Sequence, residues 1–182
     1  MVIGVSAGGL KALSTIFSHL PAKFPFSVIV VQHTHPTSDD FLARHLNEVC
    51  RLKVKQADEK ERIVSGVIYI APPNYHLLIE EDKTFSLTVD APVNFARPSI
   101  DVLFESAADA YKKNLIGIIL TGGNDDGSRG LKSIRESGGL AIVQDPKTAE
   151  VEAMPLAALA AASPDYVLSL EKIEDFLKRF KP

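Results

Sequence analysis

Three loops in this sequence carry side chains that can do acyl-transfer chemistry if the fold brings them together. The first is Gly4-Val5-Ser6-Ala7-Gly8-Gly9, where the apolar run 1–5 gives way to Leu10-Lys11-Ala12-Leu13. Small residues on both sides of Ser6 let the chain bend sharply, lifting Oγ clear of the backbone while the next N–H groups point outward at a helix start. Such a turn suits a nucleophile. It suits a phosphate cradle equally, because Gly-rich strand-to-helix turns bind anions through the same N–H groups. The second loop is Gln32-His33-Thr34-His35 and the third runs from Thr121-Gly122-Gly123 through Asn124-Asp125-Asp126-Gly127. A serine hydroxyl is a weak nucleophile until an imidazole takes its proton, and the imidazole works best when a carboxylate fixes its tautomer. A serine, a histidine and an aspartate are therefore available, one from each loop.

The elements that must position them are short β-branched runs alternating with amphipathic stretches. Strands are expected at 2–5, 28–31, 67–71, 116–120, 140–144 and 166–168. Most have no polar alternate face, as a parallel sheet covered on both sides requires. Helices are expected at 9–20, 38–50, 99–113, 128–137, 155–162 and 170–180, bracketed by signals such as Pro98-Ser99 and Gly138-Gly139. The class is α/β, a doubly wound, mostly parallel sheet with helices on both faces. One added antiparallel hairpin is expected from 76–80 and 84–89 around the polar turn Glu81-Asp82-Lys83, at the edge of the sheet. In such a sheet the loops after the carboxyl ends of the strands border one crevice, which is where all three reactive loops fall. Phe17, Phe41 and Phe104 recur on helical faces and are assigned to the core.

Bulk properties narrow the function. With 182 residues and no break in composition, one domain over 1–182 is expected. A net charge of −3 and scattered Lys and Arg give no footprint for nucleic acid. Cys50 is the sole cysteine, so neither an internal disulfide nor a cysteine zinc cage can form. No apolar run is long enough to insert in a membrane, no leader pattern opens the chain, and a cytoplasmic setting is expected.

Two other chemistries compete at the residue level. His33 and His35, two apart on one face of an extended segment, with Asp39, Asp40 or Asp126, compose a candidate metal-dependent hydrolase, though no second histidine cluster follows. The Ser6 turn is alternatively a non-catalytic phosphate- or nucleotide-binding element. That fit is poor, because serine stands where the dinucleotide fingerprint needs its second glycine, and Gln32-His33 ends the second strand without an acid. The order serine, histidine, acid also departs from the serine, acid, histidine order of α/β-hydrolases.

Five blocks in order carry a resemblance: Ile3-Gly4-Val5-Ser6-Ala7-Gly8-Gly9, Val31-Gln32-His33, Tyr69-Ile70-Ala71-Pro72, Arg97-Pro98-Ser99-Ile100-Asp101-Val102-Leu103-Phe104, and Leu120-Thr121-Gly122 through Asp126-Gly127. Together they resemble the bacterial chemotaxis protein-glutamate methylesterase family, CheB, over nearly the whole chain. The resemblance implies a doubly wound fold with an antiparallel hairpin. It also implies hydrolysis of γ-glutamyl methyl esters on cytoplasmic helices of chemoreceptors, with glutamine deamidation in some members. By motif, Ser6 matches the nucleophile, His33 the general base and Asp126, directly before Gly127, the orienting acid; Asp125 is left as a turn or cap residue. Backbone N–H groups near Ala7 and Gly123 are the expected oxyanion donors, and no metal or organic cofactor is required.

The departures lie beside the nucleophile and in the acid loop. Ala7 stands where enterobacterial relatives have threonine, and Gly123 where some members have methionine. A receiver domain usually precedes the catalytic one in this family. None is expected within this sequence, so a receiver domain or a methyltransferase would be met in a longer parent or in trans. Arg97 is a candidate for meeting an acidic receptor helix, with a helix-start role for Pro98-Ser99 as its rival.

Overall fold

The computed structural model describes residues 1–180. Seven strands, β1(Val2–Val5), β2(Val28–Gln32), β3(Lys53–Gln56), β4(Val67–Ile70), β7(Ile116–Ile119), β8(Leu140–Gln144) and β9(Tyr166–Leu168), form one sheet in the order β3-β4-β2-β1-β7-β8-β9. Every pairing in it is parallel. The remaining strands, β5(His76–Ile79) and β6(Phe85–Thr88), make a separate antiparallel pair. The helices are α1(Gly9–Phe17), α2(Phe41–Val49), α3(Ile100–Tyr111), α4(Ser128–Glu136), α5(Ala153–Ala162) and α6(Leu170–Lys178).

The apolar strands feed two cores. Successive side chains leave a strand on opposite faces, so Ile29 and Val31 join α3, α4 and α5 on one side while Val28 and Val30 join α1, α2 and α6 on the other. The same split divides Ala141 and Val143 from Ile142. Phe17 and Phe104 are wholly buried, one in each layer, and burying such a ring contributes roughly 2–3 kcal/mol. Phe41 corrects the expectation made for it: at 53% exposure it lies at the surface, because α2 starts only there and turns its first residue outward.

Two further corrections concern the sheet. Strand β3 was not expected, because Lys53-Val54-Lys55-Gln56 has a single buried residue, Val54. It is an edge strand, paired on one side only, and needs no second apolar face. The hairpin does not extend the sheet edge. It packs instead beside α3, where Ser106 Oγ accepts the Ile79 amide at 3.1 Å. Its turn is polar as expected, with Asp82 Oδ1 accepting the Thr84 amide at 3.0 Å.

The chain leaves β1 toward β2 on one side and returns to β7 on the other, so the strand order reverses at β1. Loops after β1, β2 and β7 therefore border the switch-point crevice of a doubly wound sheet. Among the described residues no helix is long and apolar enough to cross a membrane.

Candidate active site

The parallel register sets the first two residues side by side. Val5 is the partner of Gln32, and the His33 amide donates to Val5 O at 3.1 Å. Ser6 and His33 thus leave neighbouring strands at the same level, with backbones about 5 Å apart. Ser6 is anchored on its other side by its amide, which donates to Thr121 O at 3.0 Å. The turn after it needs Gly8 in the left-handed region, φ 80°, at the N-cap of α1. The third loop comes close enough that a Cβ on Gly122 would lie 3.0 Å from the Ser6 Cβ and 2.6 Å from Met154 Cε.

His33 meets Asp126 through Nε2, 2.7 Å from Oδ2. The imidazole is 13% exposed and the carboxylate 0%. With its proton on Nε2 and directed at Asp126, the ring keeps Nδ1 as its basic nitrogen.

Asp126 is held by a helix to which it does not belong. Its Oδ2 also accepts the Ile100 amide at 2.7 Å, while Oδ1 accepts Ser99 Oγ at 2.8 Å, the Asp101 amide at 3.2 Å and Asn94 Nδ2 at 3.2 Å. These donors gather at the N-terminus of α3, where unpaired amides and the helix dipole favour an anion. Burial pushes the carboxyl upward. The bonds from His33, Ile100 and Ser99 outweigh it and hold Asp126 below the usual carboxylate value.

A second carboxylate lies beside the first. Asp101, 2% exposed, accepts the Gly130 amide at 2.7 Å and Asn94 Nδ2 at 3.0 Å. Asn94 therefore bridges both acids with one amide group. Burial raises Asp101 above its ordinary value, and the neighbouring Asp126 charge adds to the rise.

The other expected residues divide. Among the described residues, neither the Ala7 nor the Gly123 amide has a hydrogen-bond acceptor, and both residues are exposed. Asp125 is exposed and serves as a turn residue, its carbonyl accepting the Ser128 amide at 3.2 Å. His35 Nδ1 pairs with Thr37 Oγ1 at 2.8 Å, and no cluster of three ligating side chains forms among the described residues. The metal-hydrolase alternative thus lacks a ligand set. Arg97 is engaged internally, donating to Asn74 Oδ1 at 2.6 Å and to the carbonyls of Val89 and Asp90 at 2.7 and 2.9 Å. Burial pushes the Cys50 thiol up to about 11, which leaves it unreactive.

Several supporting residues escaped sequence reasoning. Gln32 Nε2 donates to the carbonyls of Ser6 and His33 at 2.9 and 3.0 Å, tying the Ser6 loop to the His33 loop. Thr121 Oγ1 donates to Ala7 O at 2.8 Å and accepts the Val151 amide at 2.9 Å. The only signal for Gln32 is a polar residue ending an apolar strand.

Comparison with known proteins identifies the family. The family model described as CheB methylesterase matches residues 1–177. A Leptospira interrogans protein, provisionally named protein-glutamate methylesterase/protein-glutamine glutaminase, is 57% identical, covering 98% of this chain and 93% of its own. An Archaeoglobus fulgidus protein-glutamate methylesterase/protein-glutamine glutaminase is 38% identical over 99% of this chain, which spans 52% of that protein. The crystal structure of the Thermotoga maritima CheB methylesterase catalytic domain superposes with a TM-score of 0.93 at 36% identity, covering 98% of this chain and 96% of that one. This chain belongs to the CheB methylesterase family.

Proposed function

We propose that the protein hydrolyses γ-methyl esters of glutamate side chains on chemoreceptor helices, through an acyl-enzyme on Ser6. The observation that carries the proposal is the 2.7 Å bond from His33 Nε2 to a buried, ionised Asp126, one strand away from Ser6 in a chain of this family.

In the first half-reaction His33 takes the Ser6 proton as Oγ attacks the ester carbonyl. The carbonyl oxygen gains negative charge, which the free amides of Ala7 and Gly123 stabilise. Collapse expels methanol, protonated by the imidazolium, and leaves a glutamyl ester on Ser6. In the second half His33 takes a proton from water, hydroxide attacks the ester, and the glutamate carboxylate leaves as Ser6 recovers its proton. Asp126 keeps the imidazole in one tautomer and balances its charge during both halves. A glutamine amide passes through the same steps with ammonia as leaving group, in keeping with the glutaminase activity in the relatives' names.

The substrate helices place the reaction in the cytoplasm. The partners this reading admits besides the receptor helices are a receiver domain or a methyltransferase, in a longer parent or in trans. Methanol release from methylated receptor fragments tests the proposal. Turnover at the full rate in the Ser6→Ala protein would overturn it.

A further inference from the structure

A four-residue turn beside His33 holds an aromatic ring in water. Val93 and Ala96 exchange backbone hydrogen bonds at 3.1 and 2.9 Å, and the two residues between them, Asn94 and Phe95, have φ of 48° and 62°. Paired left-handed residues suit Asn followed by Gly, and a bulky side chain at the second position is sterically disfavoured. A turn that only reversed the chain would gain from glycine there. Phe95 nevertheless occupies it and is fully exposed, at 104%.

What fixes this turn is the acid of the site. Asn94 points inward to Asp126 and Asp101, and Arg97 staples the loop base to Asn74 and to two carbonyls. The ring therefore stands on a rigid support keyed to the triad. It lines a cavity of about 240 Å³ shared with His33, Thr34, Pro36 and Asn124. Thr34 also borders the adjoining cavity of about 460 Å³, which contains Ser6, Leu10 and Phe41. The two cavities share Thr34, and both carry exposed apolar side chains.

We infer that Phe95 determines substrate specificity, packing against the apolar surface that a substrate helix presents around its methylated glutamate. A helix places side chains three and four residues away on the same face as the ester. An aromatic anchor on a rigid turn can bury area against them at little entropic cost. The inference rests on the methylesterase reading and assigns a recognition surface to that same site.

The test compares Phe95→Ala with the parent protein on a methylated helical receptor fragment and on a small γ-methyl glutamyl ester. The ratio of kcat/KM values, fragment over small ester, is expected to fall about tenfold, through KM more than kcat. Affinity of the Ser6→Ala protein for the same fragment is expected to fall similarly when Phe95→Ala is added, while Phe95→Leu retains part of both. An unchanged ratio with unchanged affinity overturns the inference and leaves the methylesterase reading standing. Absence of methanol from both substrates with the parent protein overturns that reading, and this one with it.

Discussion

Ile100 donates its backbone N–H to Asp126 Oδ2 at 2.7 Å, the same oxygen that His33 Nε2 meets. The carboxylate bonded to the imidazole is thereby also an anchor for the first turn of α3. Changes at Asp126 are therefore expected to register in stability as well as in rate.

Ser6→Ala should separate the two. Among the described residues Ser6 Oγ has no hydrogen-bond partner, so the fold is expected to lose no more than about 0.5 kcal/mol. Methanol release is expected to fall on the order of 10⁴-fold or more. Thermal melts and a methanol assay on the same preparation check both halves.

His33→Ala and Asp126→Asn are expected to be non-additive with Ser6→Ala in rate, since the three act as a unit. Asp126→Asn should cost about 10²–10⁴ in kcat. It should also cost about 3 kcal/mol of stability, because the new NH2 group replaces one of the two acceptor oxygens and confronts donors at the start of α3. Urea unfolding of the two variants distinguishes them: Asp126→Asn falls well below His33→Ala.

The stability difference between the parent and Asp126→Asn should depend on pH. The folded carboxyl lies below its ordinary value, so its contribution is complete above about pH 4, the unfolded value. It is lost as pH falls through the lower folded value. The gap is therefore expected to narrow as pH falls below about pH 4. Asp101, shifted the other way, makes stability fall as pH rises through its raised value, and does so more in the parent, where the Asp126 charge adds to the rise. Denaturant titrations at pH 7 and pH 3 measure the difference, and a gap of the same size at both would contradict the assignment.

Thr121→Val is expected to cost about 1–3 kcal/mol, because it leaves the Ala7 carbonyl and the Val151 amide without the hydroxyl that joins them. It should also lower kcat, since Ala7 carries one of the proposed oxyanion donors, whereas Thr121→Ser keeps the oxygen and most of both properties. Melting temperatures and kcat for the pair read this directly.

By itself the sequence determined the alternation of apolar strands with helices, hence a parallel sheet with both faces covered, and it put Ser6, His33 and the acidic loop at strand ends. Those features are local: a strand buried on both sides must be apolar throughout, and a sharp turn at a strand end must be built from small residues. Strand β3 stayed hidden because an edge strand with one buried side chain carries almost no hydrophobic signal. Phe41 was misplaced because helical spacing does not say where a helix begins. Only the tertiary structure decided that Asp126 is seated on the N-terminus of α3, that Asn94 joins it to Asp101, and that Arg97 is engaged within the loop. These partners lie 7 to 32 residues apart along the chain. Their meeting depends on helix placement and loop path, which the packing of the whole sheet sets and no neighbouring residue encodes.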